Sequence, residues 1–281
     1  MISSIIFCAL LIASTLFFVF NAKKIRRNIL LGKELDLSDN KSERWKTMLR
    51  VALGQSKMVT RPLSATLHIF VYVGFVLINI EVLEMLIDGV LNTHRAFSFL
   101  GGFYNFLIGF FEILALGVFV GVVVFWLRRN VGKVKRFLNA ELNGWPRLDA
   151  NMILIAETLL MSALFLMNAA DQNLQARGVE HYTQAGSFPI SSFLAPMLSG
   201  LSDSSLILIE RGCWWFHIIG IFAFLNYLPY SKHLHIVLAF PNTYYSNLKL
   251  KGEFTTLEAV TDVVAPNFDP SYQPKTDPNN P

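Results

Sequence analysis

Residues 211–241, RGCWWFHIIGIFAFLNYLPYSKHLHIVLAFP, form an almost unbroken apolar stretch that carries His217 and His235. Their spacing of eighteen residues equals five turns of an α-helix, which predicts that both imidazoles project from one helix face about 27 Å apart, with Pro229 between them. A histidine in a hydrophobic span costs desolvation free energy unless its ring is hydrogen-bonded or binds a metal. The pair is therefore a candidate for haem iron ligation, and the alternative is a hydrogen bond from each ring to a neighbouring helix.

The composition of the whole chain is that of an integral membrane protein. Of the 281 residues, 53% are hydrophobic and 16% are charged, and the mean hydropathy is +0.44, which is too apolar for an ordinary soluble domain. Five stretches are long enough to cross a hydrocarbon layer of ~30 Å as helices. The sequence therefore predicts an all-α bundle of five transmembrane helices, at about residues 2–20, 63–86, 103–127, 152–170 and 206–228.

Lys and Arg collect at one end of these predicted spans. Of the 24, eleven lie between Lys23 and Arg61, six between Arg128 and Arg147, and four in the C-terminal part from Lys232 onwards. The positive-inside rule then predicts a multi-pass protein of the bacterial inner membrane, with the N-terminus outside and the C-terminus in the cytoplasm. The net charge of +4 follows from this topology and does not indicate nucleic-acid binding.

The chain is predicted to divide into a membrane domain, residues 1–241, and a cytoplasmic tail or tether, residues 242–281. Its two cysteines, Cys8 and Cys213, are far apart and form no CxxC pair, so the chain cannot hold an iron–sulfur cluster by itself. A mixed segment after the first span, Lys33 to Arg61, is typical of an amphipathic helix at the inner membrane surface or of a docking surface for a partner.

Polar residues inside the predicted spans are candidates for function because they are expensive in hydrocarbon. His68 and Asn79 share one face of the second span, and Glu81 follows in its outer half. Glu112 lies about two turns below the outer surface in the third span. Glu112 either accepts a proton from a quinol or bonds to a neighbouring helix, whereas Glu81 either handles protons or marks an early end to the buried part of its helix. Glu157 in the fourth span has weaker grounds for a role.

Several of these features together resemble a known family. An early histidine in the second span, the phrase LPYSKHLH at 228–235, and the proline between two histidines of the fifth span are similar to the cytochrome b (gamma) subunit of respiratory nitrate reductase. They are also similar to the cytochrome b subunit of membrane-bound heterodisulfide reductase. The phrases HLHIVLAFPNTYYSNLKLKGEF and LEMLIDGVLNTHR resemble the bacterial branch in which such a domain accompanies, or is fused to, a heterodisulfide-reductase-like iron–sulfur protein.

This resemblance implies two b haems across the membrane, each bound by one histidine of the second span and one of the fifth. By its place in the helix, His68 then pairs with His235 on the cytoplasmic side. A count of helical rise places His68 and His217 at nearly the same depth, which leaves open a single haem between those two, with His235 surplus.

The second, outer haem lacks one expected ligand. The family has two histidines ten residues apart in the second span, and Ile78 stands at the later position here. The outer haem would keep His217, with His94 or His181 folding inward from the outer loops as the other ligand.

The function implied by the resemblance is a quinol-oxidising electron-transfer subunit of an oxidoreductase complex. Electrons would pass from a quinone, with menaquinol the expected donor, to a cytoplasmic iron–sulfur subunit or fused domain. Glu112 and Glu81 are then the expected proton acceptors, and Asn79 a hydrogen-bond donor. The alternatives are a haem-free membrane anchor, a small proton-coupled transporter subunit and a single-haem variant.

Overall fold

The computed structural model describes residues 2–32, 35–249, 252–253 and 257–275, and this part of the chain is helical with no strand. Five helices are long and apolar enough to cross a membrane, so the predicted all-α bundle is confirmed. In chain order the helices are α1 (Ile2–Ile29), α2 (Lys41–Met48), α3 (Pro62–Leu91), α4 (Gly102–Asn130), α5 (Trp145–Ala176), α6 (Ala195–Leu198), α7 (Asp203–Tyr227), α8 (His235–Tyr244) and α9 (Glu258–Val264). The five long, apolar helices are α1, α3, α4, α5 and α7.

The long helices extend beyond the predicted spans at their ends. The 32 residues of α5 would measure about 48 Å, more than the ~30 Å hydrocarbon layer requires. Hydropathy marks only the part of a helix that lies in hydrocarbon, so polar turns at each end were not counted. The predicted tail contains α9, whereas its residues 250–251, 254–256 and 276–281 lie outside the described residues.

The five long helices form a ring. Each of α3, α4 and α5 packs against the next long helix in the chain, and α1 closes the ring by contacting both α3 and α7. Phe7 of α1 is fully buried, and its ring centroid lies 5.6 Å from that of Trp214 and 6.0 Å from that of Phe222. Most other apolar side chains of α1 are exposed, as expected for a peripheral helix that faces lipid.

Two glycines allow α4 to approach α3 closely. Gly117 and Gly121 lie one turn apart on α4. A Cβ atom on Gly117 would lie 2.7 Å from the Phe70 ring, and one on Gly121 would lie 3.3 Å from the Leu67 carbonyl oxygen. This is the small-xxx-small packing that membrane helices use, since small residues let two backbones come together.

The predicted continuous helix through Pro229 is wrong. Helix α7 ends at Tyr227, two short 3₁₀ turns follow at 228–230 and 232–234, and α8 begins at His235. Proline has no N–H to donate, and its ring collides with the preceding turn, so a helix tends to break there. His217 and His235 therefore lie on two separate helices and not on one helix face.

Asp149, near the start of α5, holds the break in place. Its carboxylate accepts hydrogen bonds from the Tyr227 hydroxyl at 2.5 Å, the Ser231 hydroxyl at 2.7 Å and the Lys232 backbone N–H at 3.2 Å. The side chain is only 2% exposed. One buried carboxylate thus fixes the end of α7, the turn after it and the direction in which α8 starts.

Helix α2 packs against α8 at the end of the bundle where the Lys and Arg residues collect, which we call the basic end. Arg44 is 3% exposed, donates to the carbonyl oxygens of Tyr244 and Ser246 at 3.2 Å each, and pairs with Asp39 at 2.6 Å. The ring of Trp45 lies 5.5 Å from that of Tyr244. The segment predicted to be amphipathic therefore supports the helix that begins with His235. We call the opposite end, which carries residues 92–101 and 177–202, the loop end.

Candidate functional site

Three histidines meet at the basic end: His68 on α3 and, after the helix break, His233 and His235. The rings of His233 and His235 lie 5.9 Å apart, and His68 is near enough for electrostatic interaction with both. Nδ1 of His68 is buried and has no hydrogen-bond partner. The structure thus places His68 and His235, the pair expected to share a haem, close to one another. We call these three residues the basic-end histidines.

The hydrogen bonds of the last two residues define their ring protonation. Nδ1 of His235 lies 2.9 Å from the carbonyl oxygen of Lys232. Since a carbonyl oxygen only accepts, Nδ1 carries the proton and the lone pair of Nε2 remains available, which is the arrangement of many metal-binding histidines. Burial lowers the pKa of His233 to about 4, and the positive charge of Lys232 adds to this effect, so His233 is neutral at pH 7.

A cavity of about 230 Å³ lies between α3 and α7, with α5 and Val118 of α4 completing its wall. We call it the central cavity. Three polar residues line it, Asn79, Glu157 and His217, one from each of α3, α5 and α7. The remaining wall is apolar: Val71, Gly74, Phe75, Ile78, Val82, Val118, Leu160, Met161, Ile221, Phe224, Leu225 and Leu228.

His217 is the most deeply buried polar residue of this cavity, at 4% exposure. Its ring lies beside the backbone of Leu160, and Nδ1 is buried without a hydrogen-bond partner. A ring nitrogen without a partner is available to a ligand. Ile78, which stands where the resemblance predicted a histidine, lines the same cavity.

The other two polar residues of the cavity are less enclosed. Glu157 is half-buried, and no hydrogen bond to its carboxyl group is found among the described residues. Asn79 lies at the exposed rim, where its amide donates to the carbonyl oxygen of Phe75 one turn earlier. Polar groups left without full partners in a membrane span indicate a binding site.

A network of buried charges fills the loop end around Arg95, which is 7% exposed. The guanidinium donates to Asp171 at 2.6 and 2.8 Å, to Asn168 at 3.1 Å and to Tyr104 at 3.2 Å. The Tyr104 hydroxyl donates in turn to Glu84 at 2.8 Å. Burial alone would lower the pKa of Arg95, but the neighbouring Asp171 raises it well above its usual value.

His94 belongs to this network and not to the central cavity. Its Nε2 lies 3.1 Å from Asp171, its Nδ1 accepts from the Thr183 backbone N–H at 3.2 Å, and its side chain is 4% exposed. Both ring nitrogens are therefore engaged. The ring of His181 lies 5.9 Å away, also at the loop end. Neither histidine lines the cavity that contains His217.

Glu112 anchors the loop that precedes α7. Its carboxylate accepts hydrogen bonds from Asn168 at 3.0 Å, from the backbone N–H groups of Ile190 at 2.9 Å and Ser191 at 3.2 Å, and from the Ser191 hydroxyl. The carboxyl group is 2% exposed and joins α4, α5 and the loop.

The three residues predicted to form a quinol site lie in three environments. Asn79 lines the central cavity, Glu81 lines a smaller cavity of about 30 Å³ beside Arg95, and Glu112 lies under the loop that precedes α7.

The sequence alone did not predict the network around Arg95 or the role of Asp149. Charged residues near span ends were the available signal, but their partners come from distant parts of the chain.

Within the described residues, no group of three or more His, Cys, Asp and Glu side chains is arranged to hold a metal ion. Axial ligation of haem needs only two side chains, so this finding does not bear on the predicted pair His68 and His235.

Fold and site together define an all-α, multi-pass membrane protein with buried histidines and carboxyl groups, and known proteins similar to it are oxidoreductases. One is the probable iron-sulfur-binding oxidoreductase FadF of Bacillus subtilis (strain 168), 26% identical over 241 residues, which cover 86% of this chain and 32% of the relative. Another is the EtfAB:quinone oxidoreductase of Syntrophomonas wolfei, 24% identical over 251 residues, which cover 87% and 34%.

The chain spans about a third of the length of these curated relatives. No protein-family profile matches it, and no solved structure matches it. The chain is thus a distant relative of two oxidoreductases, one of them named for quinone, and its likeness to cytochrome b subunits stays a prediction.

Proposed function

We propose that this chain is the membrane electron-transfer part of a quinone-linked oxidoreductase. It passes electrons between the quinone pool and an iron–sulfur partner, or a fused iron–sulfur domain, at the basic end, which faces the cytoplasm of a bacterial inner membrane. The observation that carries the proposal is the meeting of His68 and His235 at that end. One relative is named as iron–sulfur-binding and the other as a quinone oxidoreductase, which supports quinone and an iron–sulfur centre as the two electron-transfer partners.

Haem b fits the basic-end histidines. His68 offers a buried Nδ1 without a partner, and His235 offers the lone pair of Nε2 while its Nδ1 is held by the Lys232 carbonyl. Two neutral imidazoles from different helices are the usual axial set of a low-spin b haem, which carries one electron at a time. The Lys232 carbonyl would orient the His235 ring, as a hydrogen-bond partner of a ligand commonly does.

The predicted second haem, with His217 as a ligand, has less support from the chain. Ile78 cannot bind iron, and both nitrogens of His94 are engaged elsewhere. A haem count distinguishes one haem from two.

The test is a pyridine haemochrome assay on the full 281-residue chain, purified from the membranes of haem-supplemented cells. We expect at least one haem b per chain and the loss of one haem in both His68→Ala and His235→Ala. The control is Met197→Ala, an exposed side chain at the loop end, which should keep the parent haem count. A parent protein without haem would overturn the proposal and leave a membrane anchor or transporter subunit.

A further inference from the structure

We propose that the central cavity binds the headgroup of a quinol, with Nδ1 of His217 and the carboxylate of Glu157 accepting hydrogen bonds from its two hydroxyl groups. The inference rests on the proposed function, for which it names the substrate site. It assigns a role to Glu157, for which the sequence alone offered weak grounds, and it gives His217 a function other than binding a second haem.

The size and lining of the cavity suit a flat ring with an apolar tail. Its volume is about 230 Å³, whereas pockets for drug-sized ligands measure about 300–1,000 Å³. The smaller volume favours a quinol ring over a porphyrin macrocycle. Along α3 the lining extends from Val71 to Val82, a rise of roughly 17 Å. Phe75 on this lining is 39% exposed, so the cavity reaches the outer surface of the bundle, where lipid would deliver a quinol.

Two hydrogen-bond acceptors lie on adjoining parts of the wall. Nδ1 of His217 is buried without a hydrogen-bond partner and accepts a hydrogen bond when Nε2 carries the ring proton, and the ring lies beside the backbone of Leu160. Glu157 precedes Leu160 by three residues on α5, a separation that places Cβ atoms about 5–6 Å apart on one helix face. The imidazole and the carboxyl group are therefore close enough to contact the same small ring.

The basic end of the cavity adjoins the histidines that we propose to bind haem. The side chain of Phe224 lines the cavity, and its ring lies edge-on to that of His233 at 6.0 Å. Val71 of the lining follows His68 by three residues, about one helical turn. The cavity lining therefore contacts the group of basic-end histidines directly, so an electron would pass from the cavity to the proposed haem site without crossing another helix.

Oxidation of a quinol releases two protons and two electrons, and residues of this site can accept both protons. Oxidation of the quinol breaks its two O–H bonds; one proton passes to Nδ1 of His217 and the other to the carboxylate of Glu157, and the ring becomes a quinone. The two electrons would leave singly to a one-electron acceptor, the b haem that His68 and His235 would hold in the proposed function. In the opposite direction, the same two groups return the protons to a quinone.

The binding test is a fluorescence titration of the full chain in detergent with a fluorescent hydroxyquinoline N-oxide, a quinol analogue. We expect saturable binding by the parent and about tenfold weaker binding by Glu157→Gln and His217→Ala, as for the loss of one hydrogen bond to a charged or buried group. The control is Ser162→Ala, on the exposed side of the same helix as Glu157, which should bind like the parent. Equal affinity in all four proteins would overturn the inference.

A haem count on the same samples separates this inference from the proposed function. We expect His217→Ala to keep every haem of the parent while losing analogue affinity. If His217→Ala instead loses one haem of two, the cavity is the outer haem site and the inference fails, although the proposed function stands. If the parent contains no haem but binds the analogue at Glu157, the proposed function fails and the binding site stands.

Discussion

Arg95 illustrates how a single charge is kept inside the bundle. The guanidinium is 7% exposed and its charge is compensated by Asp171, which is 1% exposed and lies 76 residues away in the chain. Removing one partner of a buried ion pair typically costs about 3–5 kcal/mol of stability, because the other charge is left uncompensated. Exposed pairs contribute far less, since water already solvates both charges.

We therefore expect Arg95→Ala to lower the free energy of unfolding by about 3–5 kcal/mol. The control is Lys46→Ala, which removes a positive charge from an exposed pair with Glu43 and should change stability by about 0–1 kcal/mol. Thermal unfolding of each variant in the same detergent measures the difference. Similar melting temperatures for the two variants would mean that the network around Arg95 does not stabilise the loop end.

At the scale of elements, the break between α7 and α8 decides where His235 lies. Pro229 interrupts the helix, and Asp149 binds Tyr227 and Ser231 on the two sides of it. We expect Asp149→Ala to lower the haem content and to shift the b-type absorbance band of what remains, because the turn that orients His235 is released. Circular dichroism should confirm that the helices persist.

The matched control for this prediction is Asp203→Ala, which removes an exposed carboxylate at the other end of α7. It should leave haem content and band position unchanged. Asp149 is a positioning residue, so a variant that loses helicity together with haem would indicate a general role in folding and contradict the specific one.

The contact between α3 and α4 depends on glycines that no larger residue can replace without movement. A side chain at Gly117 would meet the ring of Phe70, so Gly117→Val should destabilise the protein by about 1–3 kcal/mol through overpacking. Gly212 on α7 has open space around it, and Gly212→Ala should be neutral or stabilising, since alanine has the higher helix propensity. Thermal unfolding of both variants checks the prediction, and an equal loss in both would refute close packing at Gly117.

The sequence predicts the elements better than their ends and joints. Apolar length alone identifies the five long helices, because each must cover the same hydrocarbon layer. The spacing of His217 and His235 fits a continuous helix equally well, and the break depends on Asp149, 78 residues from Tyr227. Likewise the sequence predicts that Glu112 is a buried carboxyl group, but it does not predict its loop partners Ile190 and Ser191, which lie 78 and 79 residues away. Long-range contacts leave no local pattern.

On the scale of the whole molecule, the polar groups inside the ring are arranged in three levels. The network around Arg95 closes the loop end, the central cavity with His217 lies in the middle, and His68 and His235 lie at the basic end. The middle level combines the unpartnered Nδ1 of His217 with a cavity of about 230 Å³. A substrate that enters from lipid therefore meets its binding groups halfway along the bundle, with the proposed electron acceptor on one side only.

The arrangement of cavity and basic-end histidines can serve electron transfer only if the basic end faces the compartment that contains the iron–sulfur partner. The excess of Lys and Arg predicts that it faces the cytoplasm, because positively charged segments are retained there during insertion. After Cys8 and Cys213 are replaced by serine, Ser199→Cys at the loop end and Asn247→Cys beyond α8 each provide one exposed thiol. A membrane-impermeant maleimide should label Ser199→Cys in intact spheroplasts and Asn247→Cys only after lysis. The reverse pattern would place the proposed haem site on the outer side and would require an iron–sulfur partner outside the cytoplasm.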